Sequence, residues 1–229
     1  MADRTADAPT ADDATPKPLA PVLWISIAAM LVTPFLAPNL VGRIATTLLV
    51  GGSAVVALRV SEARRSVILA GEIIVVGLTL TSLISREVGD PENFLTTIGV
   101  ALLCILLLVT PAVVVRRLAA RPRITLDTVA GALAAYIQIG LFFATAFRLV
   151  ELVGSAPFFT EITNPSTMDF QFFSFVTLTT LGYGDLVPGT EVGQSLSMVE
   201  AVLGQVFLVT VVAMAVGNLG ATLPQRRQS

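Results

Sequence analysis

Along almost the whole chain, apolar runs long enough to cross a hydrocarbon layer alternate with short polar links. With about 20 apolar residues needed for one helical span, the pattern predicts six spans: 21 to 40, 44 to 60, 66 to 85, 94 to 115, 125 to 153 and 194 to 219. Pro34 and Pro38 are expected to kink or end the first near its far side, because proline lacks the backbone donor and crowds the preceding turn. The second is short between Arg43 and Arg59, both able to snorkel to an interface. A seventh apolar run, Asp169 to Thr179, is about 11 residues or about 17 Å as a helix, roughly half the hydrocarbon thickness. A helix of that length dips in and must return. Ser166 or Thr167 can cap it, and Asp169 suits the positive end of its dipole.

The return begins in a stretch with almost no apolar bulk, Thr179-Thr180-Leu181-Gly182-Tyr183-Gly184-Asp185. Glycine adopts left-handed backbone angles without steric cost, so a Gly-Tyr-Gly alternation lets successive carbonyl oxygens turn to one side, where they can act as ligands for a cation. At membrane depth, irregular backbone is tolerated only where protein buries it or where it lines an aqueous path. In a soluble protein the same three residues would be an ordinary turn. Here they stand between a half-length and a full-length apolar helix.

Residues 180 to 185 resemble the selectivity-filter signature of the tetrameric potassium channels, in which rings of backbone carbonyls replace the water shell of the ion. The likeness extends through Phe172-Phe173-Ser174 before the motif and Leu186-Val187-Pro188 after it. It is tight over 166 to 219, and earlier residues match only in the number and placing of apolar spans. Leu181 stands where valine is commonest. The resemblance implies an all-α membrane protein with six transmembrane helices, a re-entrant pore helix and a filter, in a voltage-gated-channel-like architecture. It implies potassium ligands at the carbonyls of Thr180, Leu181, Gly182 and Tyr183, with the Thr180 hydroxyl innermost, and a mouth left open by Gly184. One chain offers a single filter strip, so a homotetramer is implied.

Around the filter, Asp185 is expected behind the external mouth. Val176 stands where many relatives carry an acid that partners this aspartate, so the filter must be braced otherwise. Glu200, inside the last span, is expected to support the filter or bridge subunits, since intramembrane carboxylates are expensive and often functional. Gly204 is a candidate gating hinge, with close packing against the pore helix as the equal alternative. Gln205, Leu208 and Val212 follow at helical spacing as candidate cavity-lining residues. Glu72 is expected to pair with an arginine such as Arg59.

Composition agrees with a membrane protein: 54% of the 229 residues are hydrophobic and 13% charged, against about a quarter charged in soluble domains. The net charge of −2 gives no reason to expect nucleic-acid binding. Histidine is absent and Cys104 is the single cysteine, so no intrachain disulfide is possible and enzymatic chemistry has little to work with. No cofactor is expected beyond K+ as the permeant ion, and the partners expected are K+ ions, the lipid bilayer and other copies of the chain.

The expected organisation is a disordered cytoplasmic tail over 1–20, a four-helix voltage-sensor-like domain over 21–123, a pore domain over 124–220, and a short cytoplasmic tail over 221–229. A voltage sensor needs arginines repeated within the membrane, and 94 to 115 has none, so no gating charge is expected there. The basic loops 61 to 65 and 116 to 123, together with Arg226 and Arg227, place both termini in the cytoplasm of a multi-pass cell-membrane protein and the filter mouth outside. With only Gly220 to Ser229 after the last span, any gate is expected in the filter, in that helix or at lipid contacts. The rival readings are a poorly selective cation channel and a non-conducting membrane subunit. A carrier is disfavoured because no paired inverted halves are visible.

Overall fold

The computed structural model describes residues 17–36, 39–88, 94–120 and 125–222, with side chains described up to residue 83 before the 89–93 gap and up to residue 210 in the last stretch. All but the first two residues of the predicted tail 221–229, most of the tail 1–20, and the loop arginines Arg121 and Arg123 lie outside the described residues. The described fold is all-helical. It comprises α1 (Ala20–Val32), α2 (Leu40–Val60), α3 (Arg65–Val88), α4 (Phe94–Ala119), α5 (Leu126–Val153), α6 (Thr167–Leu178) and α7 (Glu191–Thr222).

The apolar pattern locates these helices closely, with one difference. The first span was expected to reach residue 40. Instead α1 ends at Val32 and tightens into a 3-10 turn, Thr33–Phe35, before the chain becomes extended at Leu36. Pro34 sits inside that turn and cannot supply the next helical N–H. Five described helices, α2, α3, α4, α5 and α7, are long and apolar enough to cross a membrane, whereas Ala20–Phe35 is shorter.

Local chemistry fixes several helix ends. The Asn39 side chain accepts from Gly42 N at 2.8 Å to start α2, and Thr125 and Thr128 form a reciprocal capping box at the start of α5. Asp127, in the first turn of α5, also accepts from the backbone N–H groups of Leu19 and Ala20. One carboxylate therefore serves the positive ends of two helices.

α5 is the spine. α1, α4, α6 and α7 all pack on it, and α2 and α3 complete the bundle through α1 and α4. Of the first four helices, α1 and α4 make the contacts with α5. Close approach is bought with small residues, as membrane helices require: a Cβ at Gly51 would stand 2.7 Å from Val75 Cγ2, and one at Gly71 would stand 3.1 Å from Leu106 Cδ1. Between α1, α2 and α5 the buried Gln138 amide donates to Ser26 Oγ (3.1 Å) and Ser53 Oγ (2.9 Å). Arg59 and Glu72 pair at 2.8 Å, as expected from the sequence.

Candidate functional site

α6 begins with a capping box. Ser166 Oγ accepts from Asp169 N, and the Asp169 carboxylate accepts from Ser166 N at 2.7 Å. Its other end is more unusual. A helix normally leaves its last four carbonyls without partners, yet each one here has a donor. Phe175 O accepts from Thr179 N, Val176 O from Leu181 N (2.9 Å) and Gly182 N (3.3 Å), Thr177 O from Thr180 N, and Leu178 O from the Tyr136 hydroxyl (3.1 Å). The chain leaving α6 is thereby folded back onto the end of α6. Val176, whose side chain was expected to leave the bracing to other groups, accepts from the strip through its main-chain carbonyl.

Beyond this knot the backbone alternates in hand. Thr180, Gly182 and Gly184 have φ of +58°, +55° and +82°, while Leu181 and Tyr183 keep negative φ. The glycines take these angles freely. At Thr180, a β-branched residue, such an angle is a strain of about 1–3 kcal/mol, of the kind that concentrates at functional positions. Alternation of this sort turns successive carbonyls toward a common side. Among the described residues, no donor reaches the carbonyls of Thr180, Leu181, Gly182 or Tyr183. A row of acceptors without donors follows directly on a row in which every acceptor is satisfied.

Two contacts hold the Tyr183 end of the strip. Tyr183 stacks on Phe172 of α6, with ring centroids 6.0 Å apart and planes 2° from parallel. The chain after the motif pairs with the 154–166 loop, Thr160 N donating to Val187 O (3.0 Å) and Gly189 N to Phe158 O (2.7 Å). Phe158 and Phe159 anchor that loop in an aromatic cluster with Phe147, Phe170 and Phe173. Asp185 is exposed and, among the described residues, accepts only from its neighbour Leu186 N at 3.1 Å.

Behind the strip, α7 carries Glu200, fully buried. Its carboxyl is in hydrogen-bond contact with Ser174 Oγ of α6, and Ser174 Oγ also lies 2.8 Å from Gly140 O of α5. Gly204 packs against the end of α6: a Cβ there would overlap the Leu178 carbonyl oxygen and stand 2.8 Å from Leu178 Cδ1. That geometry gives Gly204 a packing role whether or not α7 bends. Gln205 and Leu208 are exposed on α7, and the Val212 side chain lies outside the described residues.

Several site residues were not singled out from the sequence. Gln171 of α6 donates to Met30 O and accepts from Thr33 Oγ at 3.0 Å, tying the half-helix to the end of α1. Tyr136 and Ser174 act through hydrogen bonds that no spacing announces. An amide inside an apolar run, as at Gln138 and Gln171, is the one signal that was available, since such groups need partners in hydrocarbon.

Residues 135–220 match the family model for ion channels, a segment from within α5 through α6 and the strip to α7. No curated protein and no solved structure matches the chain. The match supports an ion channel, in an all-α protein with several helices apolar enough for a multi-pass membrane protein, and it points to a channel rather than an enzyme.

Proposed function

We propose that the protein is a potassium-selective channel that passes K+ passively through a homotetrameric pore in the cell membrane, with both termini cytoplasmic. The carrying observation is the row of donor-free carbonyls from Thr180 to Tyr183, on a backbone that alternates in hand. Stripping water from an alkali ion requires several oxygens held at a fixed place before the ion arrives. The knot at the end of α6 and the Tyr183–Phe172 stack supply that rigidity.

Four strips around an axis would complete the cage. Consistent with an assembly, Leu181 and Tyr183 are largely exposed in the single chain, as are Val199, Val202 and Val206 on α7. Within α4, residues 94 to 115 carry no arginine, so the first four helices act as a voltage-sensor-shaped domain without gating charges.

Recording from purified protein in planar bilayers tests the reading. A reversal potential that follows the potassium gradient, with an open probability nearly independent of voltage, is the expected result. A reversal potential that ignores potassium against sodium would favour the poorly selective cation channel. Absence of flux from liposomes of reconstituted tetramer would favour the non-conducting subunit.

A further inference from the structure

Both ends of α1 are completed by side chains of the pore segment. The first N–H groups of a helix have no partner inside it, Pro21 carries none, and Leu19 at the N-cap brings no side-chain acceptor. The N–H groups of Leu19 and Ala20 go instead to the carboxylate of Asp127, in the first turn of α5. At the other end, the fourth residue after Met30 is Pro34, so Met30 O cannot receive the N–H that would continue the helix. The Gln171 amide of α6 donates to that oxygen, and its own oxygen accepts from Thr33 Oγ at 3.0 Å. Between the ends, the Gln138 amide of α5 donates to Ser26 Oγ at 3.1 Å. Among the described residues, each hydrogen bond from the stretch Leu19 to Thr33 to another helix ends on α5 or α6.

The two anchors sit at different places in the pore segment. Asp127 stands at the start of α5, and Leu19 beside it is fully buried, so close to α5 that a Cβ on Gly131 would stand 2.5 Å from Leu19 Cδ1. The apolar cluster around Leu19 and Val22 also takes in Phe207 of α7. Gln171 stands on the half-helix, whose last residue, Leu178, leads into the carbonyl strip. Ala20 and Met30 are ten residues apart on one helix, a rise of about 15 Å. A hydrogen-bonded helix pinned at both ends passes a displacement on instead of absorbing it, because close-packed interiors transmit strain.

We propose that α1 is a strut of the pore segment, carrying displacements between the start of α5 and the half-helix, with Asp127 and Gln171 as the positioning residues at its two ends. Its effect on conduction rests on the channel reading; the mechanical link does not. A shift of the α5 start, or of α7 felt through Phe207, then reaches the strip along α1. Neither anchor touches the carbonyls of residues 180 to 183, so the strut bears on how often the path conducts and not on which ion it prefers.

The test uses the full chain purified in detergent and asks whether the two ends of α1 act in series. Hydrogen–deuterium exchange of the α6 amides, 167–178, reads the half-helix, and exchange of the α3 amides, 65–88, reads general loosening. Asp127→Ala is expected to raise exchange in the half-helix about fivefold while α3 stays within about twofold of the wild type, and Gln171→Leu should do the same. Contacts this far apart ordinarily contribute independently. Ends in series do not, so the double variant should exchange no faster than the faster single variant. Asp127→Asn keeps an acceptor without the charge and serves if Asp127→Ala does not fold; a smaller rise is then expected. Half-helix exchange unchanged in the Asp127 variants, or a double variant whose rise is the product of the two single rises, overturns the proposal. Single-channel recording should show open probability shifted in the same direction by Asp127→Ala and Gln171→Leu, at an unchanged ratio of potassium to sodium permeability; opposite shifts count against the strut. The exchange pattern without potassium flux leaves the strut standing and counts against the channel reading alone. Flux with neither exchange effect leaves the channel reading standing and removes the strut.

Discussion

The carbonyl oxygen of Leu178, last residue of α6, occupies the place where a side chain on Gly204 of α7 would begin. The close approach lets α7 lie directly behind the end of α6, at the level where the Tyr136 hydroxyl reaches the same carbonyl. Gly204→Ala is therefore expected to force the helices apart and destabilise the protein by about 1–3 kcal/mol, the usual cost of overpacking. Gly77→Ala is the control, since nothing lies within 4 Å of a Cβ there. Thermal unfolding of the two purified variants checks this. If residue 204 acted only as a hinge, Gly204→Ala would melt like the control and differ in open time alone.

Glu200 sits in a hydrogen-bond arrangement that counts its own protons. Ser174 Oγ contacts both Gly140 O and the Glu200 carboxyl, and a hydroxyl has one proton to give. If that proton goes to Gly140 O, the contact with the carboxyl requires a proton on Glu200; if it goes to Glu200 Oε1, the carboxyl is the acceptor. Glu200→Gln preserves a donor of nearly the same shape and should leave folding and flux close to wild type. Glu200→Ala removes the partner of a buried hydroxyl and opens a void, at a cost of about 1–3 kcal/mol. Unfolding temperature together with flux separates the cases. A glutamine variant as damaged as the alanine variant would mean that Glu200 works as a carboxylate.

How much of this was legible beforehand follows from what each feature depends on. The long helices could be read because hydrocarbon demands uninterrupted apolar runs. The half-helix could be read because a run of its length cannot cross. The Gly-Tyr-Gly strip could be read because only glycine makes alternating hand cheap. The braces could not. Ser174, Tyr136 and Gln171 find partners on helices 34, 42 and 141 residues away, and sequence spacing carries no information about such encounters. Arg59 and Glu72 were paired in advance because a carboxylate in a span has few partners within reach.

Gly182 offers a clean separation between folding and conduction. Its φ is +55°, and a Cβ there would meet nothing within 4 Å of the single chain. Gly182→Ala thus strains only the backbone, by about 1–2 kcal/mol, at a position whose carbonyl is proposed to hold an ion. Helix content and unfolding should change little while potassium flux from liposomes falls to background. Flux at the wild-type level in this variant would remove the carbonyl strip from the conduction path.

Gln171 links the end of α1 to the side of α6, its amide donating to Met30 O and accepting from Thr33 Oγ. The contact is buried and lies away from the strip itself. Gln171→Leu keeps the volume and removes both contacts: the Thr33 hydroxyl retains Ala29 O as its acceptor at 2.7 Å, whereas Met30 O loses the amide donor. The expected loss is about 1–2 kcal/mol. The carbonyl row of residues 180 to 183 is untouched, so the ratio of potassium to sodium permeability should hold. The half-helix would lose its tie to the first four helices, however, and open probability should shift. Single-channel recording distinguishes the two effects: a changed permeability ratio with unchanged open probability would place Gln171 among the groups that shape the ion site, against its position in the fold.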